Sequence, residues 1–321
     1  MTQTITRDSL QFLRDDDVAI RLNHKVLIQA IKDAFQRDHH SYIMPRRMIL
    51  SQGSQTILIM PCFAQDVFGV KIVTMTQQPG YGPRVLKANY TVYSGKTGEA
   101  LLAMEADVLT DLRTAATSAV ATQLMARPES TVLGLFGTGR QAWAHLSVML
   151  PVRGFTEVLV CGSSQERSEI FAKAAAEKFK VAVRPVDAAI CAAESHVLCT
   201  CTTSAKPLFD GHLLQPGIHI NAVGAFRPDT REVDDETMVR SRLVVDSYEG
   251  APVEAGDILI PQGNQSISPD HVVADLHEAL SGKKIIRRYP SDITLFKSVG
   301  CALEDLAAAR LLLDTHPSPV V

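Results

Sequence analysis

Thr131-Val-Leu-Gly-Leu-Phe-Gly-Thr-Gly-Arg-Gln-Ala142 is an apolar run, glycines at 134, 137 and 139, and then residues that favour a helix. It reads as a strand, a tight turn and a helix start. Within it Gly137, Thr138, Gly139, Arg140, Gln141 and Ala142 fit the pattern G-x-G-x-x-A. There the first glycine allows the turn, the second lets backbone approach a pyrophosphate, and the small last residue packs helix on strand. The pyrophosphate would sit at the positive end of the helix beginning near Arg140. Glycine-rich turns after strands also occur in α/β proteins that bind nothing, so the pattern needs its context.

The segments that follow alternate as βαβ units do: strands at 158–161 and 181–183, helices at 165–178 and 187–193, then apolar runs at 196–203, 217–224 and 243–246. Six strand candidates starting from the glycine turn predict a doubly wound Rossmann sheet.

The first third has a different grammar. One early helix is predicted over 17–35, followed by short strands at 48–50, 56–60, 68–74, 86–93 and 99–105 between Gly, Pro, Ser or Gln clusters. Ser94-Gly-Lys-Thr-Gly98 is expected to close a hairpin. The fold class is therefore α/β, a doubly wound Rossmann sheet plus a separate α+β domain for substrate or assembly. A joining helix is predicted over 111–126, with Thr110 as its N-cap and Pro128 past its end. The stretch 248–268 reads as a loop, with helices near 270–280 and 301–313. The dinucleotide domain is expected over 116–299, with the α+β domain over 1–115 ahead of it.

The 321 residues suffice for two domains, and 46% apolar with 21% charged residues is ordinary for a globular protein. The net charge of −3 is spread without any basic run longer than two residues, which excludes nucleic acid or an anionic membrane as main partner. The N-terminal residues lack the regions of a signal peptide, and no apolar stretch reaches the roughly 20 residues that span a bilayer, so a cytoplasmic protein is expected. Six cysteines lie mostly in apolar patterns without C-x-x-C spacing, and no metal site is expected.

Five groups of residues could carry chemistry. Arg113 is placed in the first turn of the 111–126 helix, where a cation costs roughly 0.3–1 kcal/mol against the macrodipole. Either a bound anion or a pair with Asp107 or Asp111 would offset that cost. Lys71 shares a strand face with Gly69 and Val73, opposite Phe68, Val70 and Ile72; a lone Lys on a strand is usually solvated. Arg46 and Arg47 read by default as a solvated loop pair. Asp229 is either a base or a turn residue behind Pro228, the pattern favouring the turn. Thr200, Thr202 and Thr203 end a strand and either line the cofactor cleft or only satisfy the strand's end.

The second Rossmann strand usually closes with an acid when the ribose 2′-hydroxyl of NAD is bound. Here it runs into Gly162-Ser163-Ser164-Gln-Glu-Arg167, with no carboxylate at the tip. Ser163, Ser164 and Arg167 suit a 2′-phosphate, which favours NADP(H), with NAD(H) still possible.

Together these pieces resemble the ornithine cyclodeaminase/mu-crystallin family over nearly the whole chain. The likeness is carried by Pro45-Arg-Arg47, Lys71, Leu109-Thr-Asp-Leu-Arg-Thr-Ala-Ala-Thr-Ser118, the glycine turn, Asn221-Ala-Val-Gly-Ala-Phe-Arg-Pro-Asp-Thr-Arg-Glu232, Gly256-Asp257 and Lys297-Ser-Val-Gly-Cys-Ala-Leu-Glu-Asp305. The resemblance implies a homodimer, with 1–115 and 300–321 together forming the substrate-binding and dimerisation domain, substrate-carboxylate contacts on Arg47, Lys71 and Arg113, and cofactor contacts on Thr138, Gly139, Arg140, Gln141, Val223 and Ser298.

Members of the family cyclise and deaminate ornithine, oxidise alanine, or reduce cyclic ketimine acids. Its cyclodeaminases carry a catalytic Asp where this chain has Phe226, while Arg-Pro-Asp-x-Arg-Glu is the wording of its ketimine reductases. The resemblance thus implies NAD(P)H-dependent reduction of Δ1-pyrroline-2-carboxylate or Δ1-piperideine-2-carboxylate, with Lys71, Arg113 and Asp229 as candidate catalytic residues and Phe226 as an apolar wall for a small imino or amino acid. Alanine or N-alkyl-alanine dehydrogenase, ornithine cyclodeaminase and a non-catalytic NADPH-binding protein are the alternatives.

Overall fold

The structure, a computed structural model, describes residues 10–37, 39–76 and 85–314; the N-terminal residues read above for a signal peptide lie outside them. The chain divides into two compact units, one from residues up to 23, 40–110 and 302 onward, the other from 24–39 and 111–301.

The first unit is a seven-stranded sheet. Gln11–Leu13, Ala100–Glu105, Val85–Ser94, Val67–Thr76, Gln55–Ala64 and Tyr42–Ile43 lie side by side, and Met48–Gln52 also pairs with Gln55–Ala64. All neighbours are antiparallel except Gln11–Leu13 on Ala100–Glu105. The five strands read from the sequence are present, and so is the hairpin: Gly98 N–H donates to Ser94 O, with Gly98 at φ +73°. Two short strands, 11–13 and 42–43, escaped notice because two or three residues show no period. One sheet face is covered by the helix Ala302–Asp314, whose Leu306 and Ala308 are buried.

The early helix is two helices, Asp15–Arg21 and His24–Gln36, because Leu22 turns extended (ψ 95°) between them. The second buries Leu27, Ile28, Ile31 and Phe35, each contributing about 1.5–3 kcal/mol, and falls in the second unit.

The second unit is built on an eight-stranded sheet, parallel throughout. Across it run Ala182–Pro185, Glu157–Cys161, Val132–Phe136, Val197–Thr200, His219–Ala222, Ile293–Lys297, Ser241–Val245 and Val272–Asp275. The winding reverses between Val132–Phe136 and Val197–Thr200, and such a switch point opens a crevice at the strands' carboxyl ends. All six expected Rossmann strands are there. Val272–Asp275 corrects the helix expected near 270–280, which shrinks to Leu276–Leu280 because Val272 and Val273 continue the sheet edge. The supposed loop 248–268 contains the helices Ala251–Glu254 and Gly256–Gly263, the latter with Pro261 inside.

The joining helix spans Asp107–Met125, four residues earlier at its start than expected. Asp107 accepts from Ala88 N–H and Lys87 Nζ, while Thr110, expected as N-cap, lies inside the helix and donates its hydroxyl to Ala106 O at 2.7 Å. Arg113 is therefore in the second turn, and the macrodipole cost argued for it falls away.

Candidate functional site

The glycine turn has the shape its sequence requires. Gly137 sits at φ +110°, and a Cβ there would meet Cys201 O at 2.5 Å, so a side chain is excluded by both conformation and space. Around Gly139 nothing lies within 4 Å of an added Cβ. Gly139 caps the helix Arg140–Met149 without any side-chain hydrogen bond, and no acid stands in its first turn. An open glycine beside an uncapped helix N-terminus fits a dinucleotide pyrophosphate. Thr138 lies against Gly162, and Ala142 is fully buried as the pattern demands. Asp111 holds the two side chains that follow: Arg140 Nε and Nη2 reach Oδ2 at 2.8 and 2.7 Å, and Gln141 Nε2 reaches Oδ1 at 2.9 Å.

At the tip of the second strand Ser163, Ser164 and Arg167 are exposed, as is Glu166. Ser164 is also the N-cap of Gln165–Phe179, accepting from Arg167 N–H at 3.3 Å.

Thr200 and Thr202, expected to line the cleft, turn their hydroxyls inward to the buried Glu232, at 2.6 and 2.7 Å. Thr200 is fully buried. Glu232 also accepts from the backbone N–H groups of Thr202 and Gly224, both at 2.7 Å. Burial pushes its carboxyl pKa up, and the nearby Lys297 ammonium opposes that rise. Lys297, itself fully buried, pairs with Asp257 at 2.8 Å and donates to Ala225 O at 2.6 Å. The loop bearing Val223 and Phe226 is thus tied to buried charges, and Phe226 is 38% exposed. Asp229 is exposed and forms a two-point pair with Arg227, at 3.0 and 2.6 Å, across the turn closed by Thr230 N–H on Arg227 O.

Arg113 is buried, and its guanidinium lies against Gly300, where a Cβ would come within 2.4 Å of Nη1. Gly300 is at φ +80°. Its N–H donates to Asp246 Oδ2 at 2.7 Å, as does that of Val299, and Ser298 Oγ lies 3.1 Å from the same oxygen. The buried Asp246 thereby shapes the turn 298–300 that supports Arg113.

In the first unit Arg47 is half-buried between Tyr42–Ile43 and Met48–Gln52. Lys71 corrects the expectation of a solvated lysine: it is 1% exposed, and its Nζ lies 2.7 Å from both carboxylate oxygens of Asp305. Gly69 leaves room for Tyr90, whose hydroxyl a Cβ would strike at 2.0 Å. Burial raises the Tyr90 pKa well above its ordinary value, with the Asp305 carboxylate adding to the rise.

Sequence reading named Asp111 only as an alternative partner for Arg113 and missed Glu232, Asp246, Asp257, Lys297 and Asp305 as individual actors. A signal existed for two of them: Asp246 and Lys297 end apolar strands, where a charge must find a partner. The others meet their partners only through long-range contacts. Among the described residues no group of His, Cys, Asp or Glu is arranged to hold a metal, and no helix is long and apolar enough to cross a membrane.

The chain matches the ornithine cyclodeaminase/mu-crystallin family over residues 10–318. It is 37% identical over 265 residues to ketimine reductase mu-crystallin of Rattus norvegicus, covering 81% of this chain and 80% of the relative. The solved structure of Thermococcus litoralis Δ1-pyrroline-2-carboxylate reductase in complex with NADH and L-proline superposes with a TM-score of 0.90, at 33% identity over 95% of this chain and 97% of the other. An archaeal alanine dehydrogenase dimer with bound NAD gives 0.89, at 28% identity over 95% of each.

Proposed function

This chain belongs to the ornithine cyclodeaminase/mu-crystallin family, and from that membership we propose that it reduces a cyclic ketimine acid, Δ1-pyrroline-2-carboxylate or Δ1-piperideine-2-carboxylate, to the cyclic L-amino acid. The observation that carries the reading is the likeness, over nearly the full length of both chains, to a reductase holding NADH and L-proline. L-proline is the saturated counterpart of the smaller of these ketimines.

A nicotinamide dinucleotide, when bound, supplies the hydride. In this proposal Gly137, Thr138, Gly139, Arg140 and Gln141 hold its pyrophosphate side, and Val223 and Ser298 its nicotinamide side. Ser163, Ser164 and Arg167 at the ribose favour a 2′-phosphate and hence NADP(H). Arg47, Lys71 and Arg113 fix the substrate carboxylate, and positioning of that kind contributes several kcal/mol to barrier reduction. As the hydride adds to the imine carbon, the electron pair of the C=N bond moves to nitrogen, which takes a proton. Lys71, or a water it orders, is the proposed donor, with Asp305 as counter-charge. Phe226 supplies an apolar wall where a cyclodeaminase would need a carboxylate. Asp229, paired with Arg227, acts as a turn residue.

Purified protein with Δ1-pyrroline-2-carboxylate or Δ1-piperideine-2-carboxylate should consume reduced nicotinamide, faster with NADPH than with NADH. Absence of turnover with both imines would overturn the proposal. The likeness to the alanine dehydrogenase supports a second reading, oxidation of alanine, which L-alanine and its N-alkyl derivatives in the same panel would reveal.

We also propose a homodimer formed through the uncovered face of the first unit's sheet. Met48, Leu50, Ile57, Phe63 and Ile72 are exposed there, and Phe63, Phe68 and Tyr93 stack at 5.1 and 4.9 Å. An apolar face of that extent is what a second copy would bury.

A further inference from the structure

We infer that Glu232 is a positioning residue for hydride transfer: it fixes the backbone of residues 223–226 without touching cofactor or substrate. The inference rests on the proposed reduction, in which that segment faces the nicotinamide and the imine ring.

Residues 223–226 follow the strand His219–Ala222 and have no regular structure of their own. They are held from outside. Val223 N–H and Gly224 N–H donate to Thr200 O, both at 3.1 Å. Gly224 N–H also reaches Glu232 Oε2 at 2.7 Å, and Ala225 O accepts from Lys297 at 2.6 Å. The two anchors are themselves joined, because Glu232 N–H and Lys297 Nζ both meet Asp257, at 2.7 and 2.8 Å. Glu232, Asp257 and Lys297 are all fully buried, so a closed ring of hydrogen bonds built on three ionisable residues holds the loop.

Space reinforces the ring. A Cβ on Gly224 would come within 2.2 Å of Thr202 O and 2.4 Å of Glu232 Oε1. A Cβ on Gly256 would come within 2.2 Å of Thr230 O, so the turn 227–230 that leads to Glu232 is closely packed as well. Burying three ionisable groups is a costly way to secure a loop, and apolar packing would do so at less expense. What buried charge adds is a defined position, because each hydrogen bond fixes direction as well as distance.

The two Glu232 oxygens take one backbone N–H each, Oε1 from Thr202 and Oε2 from Gly224. An amide in this place must therefore turn an NH2 group against one of those donors. Glu232→Gln keeps the volume and breaks the geometry.

The test compares the wild-type enzyme, Glu232→Gln and Glu232→Asp by amide hydrogen exchange without cofactor, by NADPH titration and by steady-state kinetics with NADPH and its 4-deuterated form. In Glu232→Gln we expect faster exchange confined to 222–232, protection retained in Val132–Phe136, and NADPH affinity little changed. The kcat should fall about 10²-fold, the loss expected from misplacing reacting groups by an ångström, and the deuterium isotope effect should rise. Glu232→Asp, which keeps the charge, should lose less. Unchanged exchange and kcat would overturn the inference. So would protection lost across the whole sheet with kcat falling only in step with the folded fraction. If Glu232→Gln does not fold, Thr202→Val removes one donor hydroxyl and should cost kcat about tenfold; an unaltered kcat and isotope effect there would equally refute it. Absence of turnover in the wild type would instead remove the proposed reduction, and the exchange measurement would still judge the loop.

Discussion

Arg113 owes its placement to a residue with no side chain. Gly300 is at φ +80°, and an added Cβ would lie 2.4 Å from Nη1 of the guanidinium. Gly300→Ala should therefore cost about 1 kcal/mol or more in denaturant stability and, by shifting Arg113, lower kcat/KM about 10²-fold. Gly98→Ala makes the comparison fair, since Gly98 also has a positive φ (+73°) but open space around it: it should cost stability and leave kcat/KM alone. Lys71 presents the complementary case, a buried cation with its carboxylate 2.7 Å away. Asp305→Asn removes the charge that favours the ammonium, so Lys71 should lose its proton at lower pH. The alkaline limb of the kcat/KM profile should move down, and a profile identical to wild type would exclude Lys71 as the proton donor. Both residues stood out in the sequence as chemistry-bearing types in recognisable blocks. Their surroundings did not: Lys71 looked like any strand lysine, because Asp305 approaches it from 234 positions further along the chain.

Among elements, the helices Asp107–Met125 and Arg140–Met149 are joined by a fully buried histidine. His145 Nε2 lies 3.0 Å from Ser118 Oγ and Nδ1 2.8 Å from Gln141 O, and burial lowers its pKa from 6.5 to about 4. His219, between Thr294 and Asn221, is lowered to about 3. The unfolded chain binds these protons more readily than the folded one, so stability rises with pH through this window. The contribution of His145 is whole above pH 6.5 and drains away as pH falls towards about 4. Urea midpoints measured across that range should drop steeply for the wild type and less steeply for His145→Gln. Period and turn chemistry made six Rossmann strands and the 94–98 hairpin legible. They failed where the signal was borrowed from partners. Val272–Asp275 is a strand only because an edge awaits it, and the start of the Asp107 helix is set by Lys87 and Ala88 of a neighbouring strand.

At the scale of the whole molecule, the uncovered sheet face of the first unit has its own consequence. Ile72 lies on it, 43% exposed and opposite in facing to Lys71. Ile72→Lys should convert the proposed dimer to monomer in light scattering, and an unchanged mass would place the contact elsewhere. The first unit is also discontinuous: its sheet is complete in sequence by residue 105, yet the helix that covers it begins only at Ala302, after the Rossmann unit has been made. On the ribosome the Rossmann unit can therefore fold first, while the sheet waits with Lys71 lacking the carboxylate of Asp305. An ammonium buried without that partner is strongly unfavourable, so the first unit should close late, with the first turn of Ala302–Asp314, which carries Asp305, acting as its latch.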